Sequence, residues 1–170
     1  LTPARVPPHK PEAGQPLKLG LLSPDFRHHP VTTFLLPVLE AFDRRAFALH
    51  FFSDVARPDS KTAKLRKHAD AWTECHGRSD DEVGQAIREQ GIHVLIDLAG
   101  HTAHNRLSLL ARRPAPLQVS WLGYPNTTGM AAMDIRLVDA VSDPPGVADG
   151  LAREKLVRLP QGFLCYAAPA

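Results

Sequence analysis

Three short stretches concentrate the side chains able to do chemistry. "SPDFRHHP" (23–30) holds Asp25, His28 and His29; "AGHTAHN" (99–105) holds Gly100, His101, Thr102 and His104; "GYPNTTG" (123–129) holds Gly123, Thr127, Thr128 and Gly129. An imidazole in a cleft acts as acid or base near neutral pH, or orients a sugar hydroxyl. Glycines permit positive φ or close approach of a ligand, and threonine hydroxyls both donate and accept. Each stretch also has a plainer reading, as a loop histidine bonded to backbone, a turn with solvated histidines, or a bare turn. Spacing alone leaves both readings open.

Other chemistries find no support. His101 and His104 stand at i, i+3, but Asp97 lies at a buried strand end and no Cys or second carboxylate joins them. No metal site is expected. There is no GxGxxG and no GxxxxGK[ST], so a dinucleotide oxidoreductase or a P-loop lacks its motif. Asp80 and Asp81 suit a helix start. Trp72 and Trp121 read as core. Cys75 and His76 are strand neighbours that point to opposite faces, and Ser120 lies inside a strand, not on a nucleophile elbow.

Elements that alternate along the chain must position these loops. Strands are expected at 17–22, 47–53, 71–75, 92–98, 117–122, 134–139 and 155–160. Helices are expected at 32–43, with Pro37 inside, and at 59–70, 79–91 and 105–113. Ser79 and Glu82 form a capping box, and Gly91 stops that helix. Residues 92–98 are apolar on both faces, as in a central parallel strand. The expected fold is α/β, a Rossmann-like parallel sheet with helices on both faces, and the three loops follow the carboxyl ends of strands, where such sheets bind ligands.

A chain of 170 residues is long enough for one domain with a substantial core. The net charge of +2, with no run of Lys or Arg longer than two, gives no case for nucleic acid or a membrane surface. No apolar stretch approaches a membrane span. Cys75 and Cys165 stand far apart, which favours a reducing, cytoplasmic setting. Residues 1–16 carry five prolines and read as a linker. The chain reads as a piece of a longer protein.

The stretches "LKLGLLSPDFRHHP", "LIDLAGHTAHNRLSLLARRPAPLQVSWLGYPNTTG" and "DPPGVADGLAREKLVRLPQGFLCY" resemble the catalytic region of the O-linked N-acetylglucosamine transferase family, nearest its SPINDLY-type branch. The similarity runs from Leu17 to the C-terminus. It implies a fold of two Rossmann-like lobes (GT-B type) facing across a cleft, with residues 17–170 as the N-terminal catalytic lobe. It implies inverting transfer of N-acetylglucosamine from UDP-GlcNAc to Ser or Thr hydroxyls of a protein acceptor, without metal or other cofactor. Relatives of the SPINDLY type include protein O-fucosyltransferases that use GDP-fucose, which stands as the alternative. The C-terminal lobe, with most nucleotide contacts and an essential lysine, and the upstream tetratricopeptide repeats have no counterpart here. An isolated lobe is therefore expected to transfer no sugar, and an inactive interaction module is a further alternative.

By the same resemblance His29 matches the active-site histidine, proposed as a base and as a positioning residue, and Pro30 follows it as in the family. Thr102 matches a threonine near the donor sugar, in a turn shared with Gly100 and His101; relatives vary between His and an aromatic at the His101 position. Leu122 and Gly123 match residues beside the sugar, and Tyr124 and Pro125 hold the shape of that loop. His28 has no family counterpart.

Overall fold

The apolar periods at 17–23, 47–53 and 94–97 bury strands side by side, and the rest of the sheet grows from them. The computed structural model describes residue 7 and residues 14–168. Strands β1 (Leu17–Ser23), β2 (Phe47–Ser53), β3 (Ala71–Glu74), β4 (Val94–Asp97), β5 (Leu117–Ser120), β6 (Ile135–Val138) and β7 (Lys155–Arg158) are all parallel. Their order is β3-β2-β1-β4-β5-β6-β7. Helices α1 (Pro30–Glu40), α2 (Ser60–Arg66), α3 (Asp80–Glu89) and α4 (Leu107–Leu110) connect the first five strands. The chain lays β1 to β3 outward, then returns to set β4 on the far side of β1. At that reversal the loops leaving neighbouring strands diverge and open a crevice.

Alternation along the strands divides the core in two. Leu19, Leu21, Leu49 and Phe51 pack with Val31, Leu35 and Leu39 of α1 and Leu65 of α2. Leu22, Phe52 and Leu95 pack with Val83 and Ile87 of α3 and Leu109 and Leu110 of α4. Helices thus cover both faces of the sheet. Gly20 sits where a Cβ would lie 3.0 Å from both Ile92 and Leu95, so the second layer closes directly on the strand backbone.

Several boundaries differ from expectation. Helix α1 begins at Pro30, not residue 32, because a proline needs no N–H at the first helical position and His29 caps it. Pro37 lies inside α1, which ends one turn later at Glu40. Helix α2 stops at Arg66, because Lys67, His68 and Ala69 turn back to the carbonyls three residues behind them. The helix expected over 105–113 spans only Leu107–Leu110, and Arg113 takes φ +50°. β5 ends at Ser120, not residue 122, since Leu122 takes φ +65° and cannot continue a strand. The capping box of Ser79 and Glu82 is present, and Gly91 follows α3 at φ +64°. Of the expected linker, only residue 7 and residues 14–16 fall among the described residues.

Candidate functional site

The β1–α1 loop is anchored from below. Phe26 is fully buried, 5.1 Å from the Phe51 ring and 5.8 Å from that of Trp72. Asp25 is buried beside it; its backbone N–H donates to Ser23 Oγ at 2.9 Å, and its carbonyl accepts from Thr32 Oγ1 at 2.9 Å. This anchoring leaves Arg27, His28 and Pro30 exposed. His29 is the N-cap of α1: its carbonyl accepts from Thr32 and Thr33, and its Nδ1 accepts the Val31 N–H at 3.3 Å. With Nδ1 accepting, a neutral ring carries its proton on Nε2. Asp25 Oδ2 lies 3.8 Å from the same Nδ1.

The β4–α4 loop turns on Asp97. Its carboxylate, 1% exposed, accepts the Gly100 N–H at 2.7 Å and the Ala99 N–H at 3.3 Å. Burial pushes its pKa up to about 6, against the lowering pull of those two N–H groups and of His101. Gly100 takes φ +56°, and a Cβ there would lie 2.4 Å from Tyr124 Cβ. His101 Nε2 lies 2.9 Å from the Thr128 carbonyl, and its ring meets Tyr124 edge-on at 5.2 Å. Thr102 Oγ1 donates to the Ala99 carbonyl at 2.8 Å, so its lone pairs are what it offers a ligand.

The β5–β6 loop packs its small residues closely against the rest of the fold. At Gly123 a Cβ would sit 1.9 Å from the Leu98 carbonyl oxygen. The glycine serves the approach of one loop to the other. Thr127 and Thr128 are not free hydroxyls: both donate to the carboxylate of Glu154, which also accepts the Thr128 N–H at 2.6 Å. Burial raises the Glu154 pKa, but these hydrogen bonds outweigh it and hold the carboxyl below its ordinary value. Pro125 is exposed.

The structure therefore brings Gly100, His101 and Thr102 against the loop that carries Leu122, Gly123 and Pro125. His29 and Pro30 stand at the head of α1, and no described hydrogen bond joins them to either loop. Leu122 links the groups by packing, since its side chain lies on the cluster that contains Phe26 and Val31. Two clefts flank the β1–α1 loop. One, of about 800 Å³, is lined by His29, Pro30, Phe34, Pro37 and Tyr166. The other, of about 820 Å³, opens over the ends of β1 to β4. His28 lines both.

Cys75 is buried and its thiol is pushed up to about 12, first by burial and then by Asp54, so it is no nucleophile. Trp121 is core, with its indole N–H donating to the Phe163 carbonyl at 2.9 Å. Among the described residues no group of three or more His, Cys, Asp or Glu is arranged to hold a metal ion. No helix of the described residues is long and apolar enough to cross a membrane. Sequence reasoning missed Glu154 and Arg106, whose partners lie tens of residues away, and no local pattern marks either.

The chain matches the family model described as glycosyl transferase family 41 over residues 2–167. It is 39% identical over 159 residues to a rice protein named probable UDP-N-acetylglucosamine–peptide N-acetylglucosaminyltransferase SPINDLY, covering 91% of this chain and 17% of that one. A UDP-N-acetylglucosamine–peptide N-acetylglucosaminyltransferase of Caenorhabditis elegans is 33% identical over 156 residues, or 88% of this chain and 13% of its own length. In structure the chain follows a mutant O-GlcNAc transferase of Thermobaculum terrenum at a TM-score of 0.90 and 43% identity, over 96% of this chain and 31% of that one. The chain thus spans less than a third of each of these relatives. With the parallel sheet, the loops at the carboxyl ends of its strands and these likenesses in place, the chain belongs to glycosyl transferase family 41.

Proposed function

We propose that the protein carrying this chain transfers N-acetylglucosamine from UDP-GlcNAc to Ser or Thr hydroxyls of proteins, with inversion at the anomeric carbon. The chief support is the 43% identity and TM-score of 0.90 to the Thermobaculum terrenum O-GlcNAc transferase. In this reading residues 17–170 are the N-terminal of two catalytic lobes, and residues 1–16 link them to upstream repeats in the cytoplasm. The donor lies in the cleft between lobes, against a wall of Gly100, His101, Thr102, Leu122, Gly123 and Pro125.

The acceptor oxygen attacks the anomeric carbon in line. The carbon–oxygen bond to the diphosphate breaks, and its electron pair leaves on phosphate oxygen. The hydroxyl proton passes to the departing phosphate or to solvent. His29 meets the substrate through Nε2, because the Val31 N–H occupies Nδ1. It orients the reacting groups, and positioning with electrostatics supplies most of the rate.

The test incubates the full-length protein with UDP-GlcNAc and GDP-fucose separately and weighs acceptor proteins by mass spectrometry. The expected result is an N-acetylhexosamine increment from UDP-GlcNAc. An increment from GDP-fucose alone would replace this donor with the alternative. His29→Ala should lower transfer about a hundredfold or more with an unchanged circular-dichroism melt, and full activity in a folded variant would remove His29 from the site.

A further inference from the structure

Glu154 stands immediately before β7, whose first N–H, at Lys155, donates to the Asp134 carbonyl at 3.0 Å. The sheet therefore fixes the backbone from which its side chain departs. Glu154 is 4% exposed, and among the described residues no Lys or Arg pairs with it. One turn meets its charge instead, through the hydroxyls of Thr127 and Thr128 and the Thr128 N–H. A buried carboxylate is a poor choice for stability alone, because an apolar side chain of similar volume avoids its desolvation cost. What the carboxylate fixes here is a direction.

Thr127 Oγ1 gives its proton to Glu154 and accepts the Gly129 N–H at 3.0 Å. On the other side of the same peptide, the Thr128 carbonyl lies 2.9 Å from His101 Nε2. The N–H and C=O of a planar trans peptide point in opposite directions, so anchoring the first aims the second. A carbonyl oxygen can only accept. His101 Nε2 therefore carries a proton and donates it to Thr128. In the neutral ring Nδ1 then holds a lone pair, and among the described residues no hydrogen bond uses it. His101 is exposed, and Tyr124 meets its ring edge-on.

We propose that Glu154 is a positioning residue for the donor sugar: acting through Thr127 and Thr128, it holds His101 with Nδ1 as a fixed acceptor for a sugar hydroxyl or amide N–H. The inference rests on the reading of Gly100, His101, Thr102, Leu122, Gly123 and Pro125 as the sugar wall. It gives a role to a residue outside that wall. It also accounts for the two threonine hydroxyls withdrawn from any ligand, since they carry the constraint from Glu154 to the histidine.

The test uses the full-length protein and calorimetric binding of UDP-GlcNAc and of UDP. Glu154→Ala and His101→Ala should each weaken UDP-GlcNAc about tenfold and leave UDP, which lacks the sugar, unchanged. The double variant should bind no more weakly than His101→Ala, because Glu154 acts through that ring. Independent losses that multiply to about a hundredfold, or an equal loss of UDP, would overturn the proposal. Thr127→Val, a smaller change that cuts the Gly129 anchor while Glu154 keeps Thr128, should weaken UDP-GlcNAc in the same sense should Glu154→Ala fail to fold. Asp149→Asn, which weakens the Arg158 pair in the same β6–β7 connection, should change neither affinity. Nitrogen-15 spectra of the histidine-labelled protein at pH 8, with His101 identified by its loss in His101→Ala, supply a readout independent of function. They should show a single Nε2–H tautomer in the wild type and averaged shifts in Glu154→Ala or Thr127→Val. An unchanged tautomer in those variants would also overturn the proposal. A wild-type protein that binds no UDP-GlcNAc would sink the functional reading, and the tautomer comparison would still decide whether Glu154 governs His101.

Discussion

Raising the pH from 4 to 7 should destabilise the chain through Asp97. Burial is the main cause of its raised pKa, from an ordinary 3.8 to about 6. Between those values the folded chain keeps a proton that the unfolded chain has released, so stability is lost as pH rises through the folded value. At about 1.4 kcal/mol per pH unit, the interval amounts to about 3 kcal/mol. For a chain of this length that is roughly 8 °C in melting temperature. Carboxylates held low, such as Asp59, Asp80 and Glu154, act in the opposite sense and at lower pH. Comparison with Asp97→Asn, which keeps an acceptor oxygen for the loop but cannot ionise, isolates the term. Thermal melts at pH 4, 5, 6 and 7 should show the variant gaining on the wild type by about 8 °C across the series. A difference that stays constant from pH 4 to pH 7 would refute the burial argument.

Gly123→Ala should cost about 3 kcal/mol in urea unfolding, since the Leu98–Ala99 backbone occupies the space of the new methyl and cannot swing aside as a side chain would. Gly129→Ala meets no atom within 4 Å and should cost only the φ +71° penalty, about 1 kcal/mol; equal losses would contradict the close approach at Leu98. Glu154→Gln should lower stability by about 2 kcal/mol at pH 7 and by progressively less as the pH falls through the lowered pKa of the wild-type carboxyl. A pH-independent loss would deny the charge-assisted bonds. Alkylation of the native chain at pH 8, read by mass spectrometry, should give a single adduct at exposed Cys165, with Cys75 joining only in denaturant. Rapid native labelling of Cys75 would show that its thiol is less buried than described.

The parallel sheet was legible because each strand is a short apolar run between turn signals, and the capping box of α3 because Ser79 and Glu82 are three residues apart. The three loops were legible as candidates because a parallel sheet presents its carboxyl ends together. What each loop residue does was not. Gly123 lets its loop close on the Leu98 carbonyl, a contact between residues 25 positions apart that no local pattern announces. Thr127 and Thr128 read as donors until Glu154, from the far side of the β6–β7 connection, takes both hydroxyls. The start of α1 was placed two residues late because histidine is not among the preferred N-caps, although the proline after it signals a helix start.

The central place of β1 also governs the order in which the sheet can be completed. Seven residues of β1 pair with β2, and four of them pair on the other side with β4, whose residues follow some 70 positions later. As the chain emerges from the ribosome, β1, β2 and β3 can associate while the far edge of β1, from Leu19 to Leu22, still lacks its neighbour. An open, apolar strand edge invites pairing with another chain. The interval before β4 arrives is therefore a stretch of synthesis in which this edge is open to mispairing.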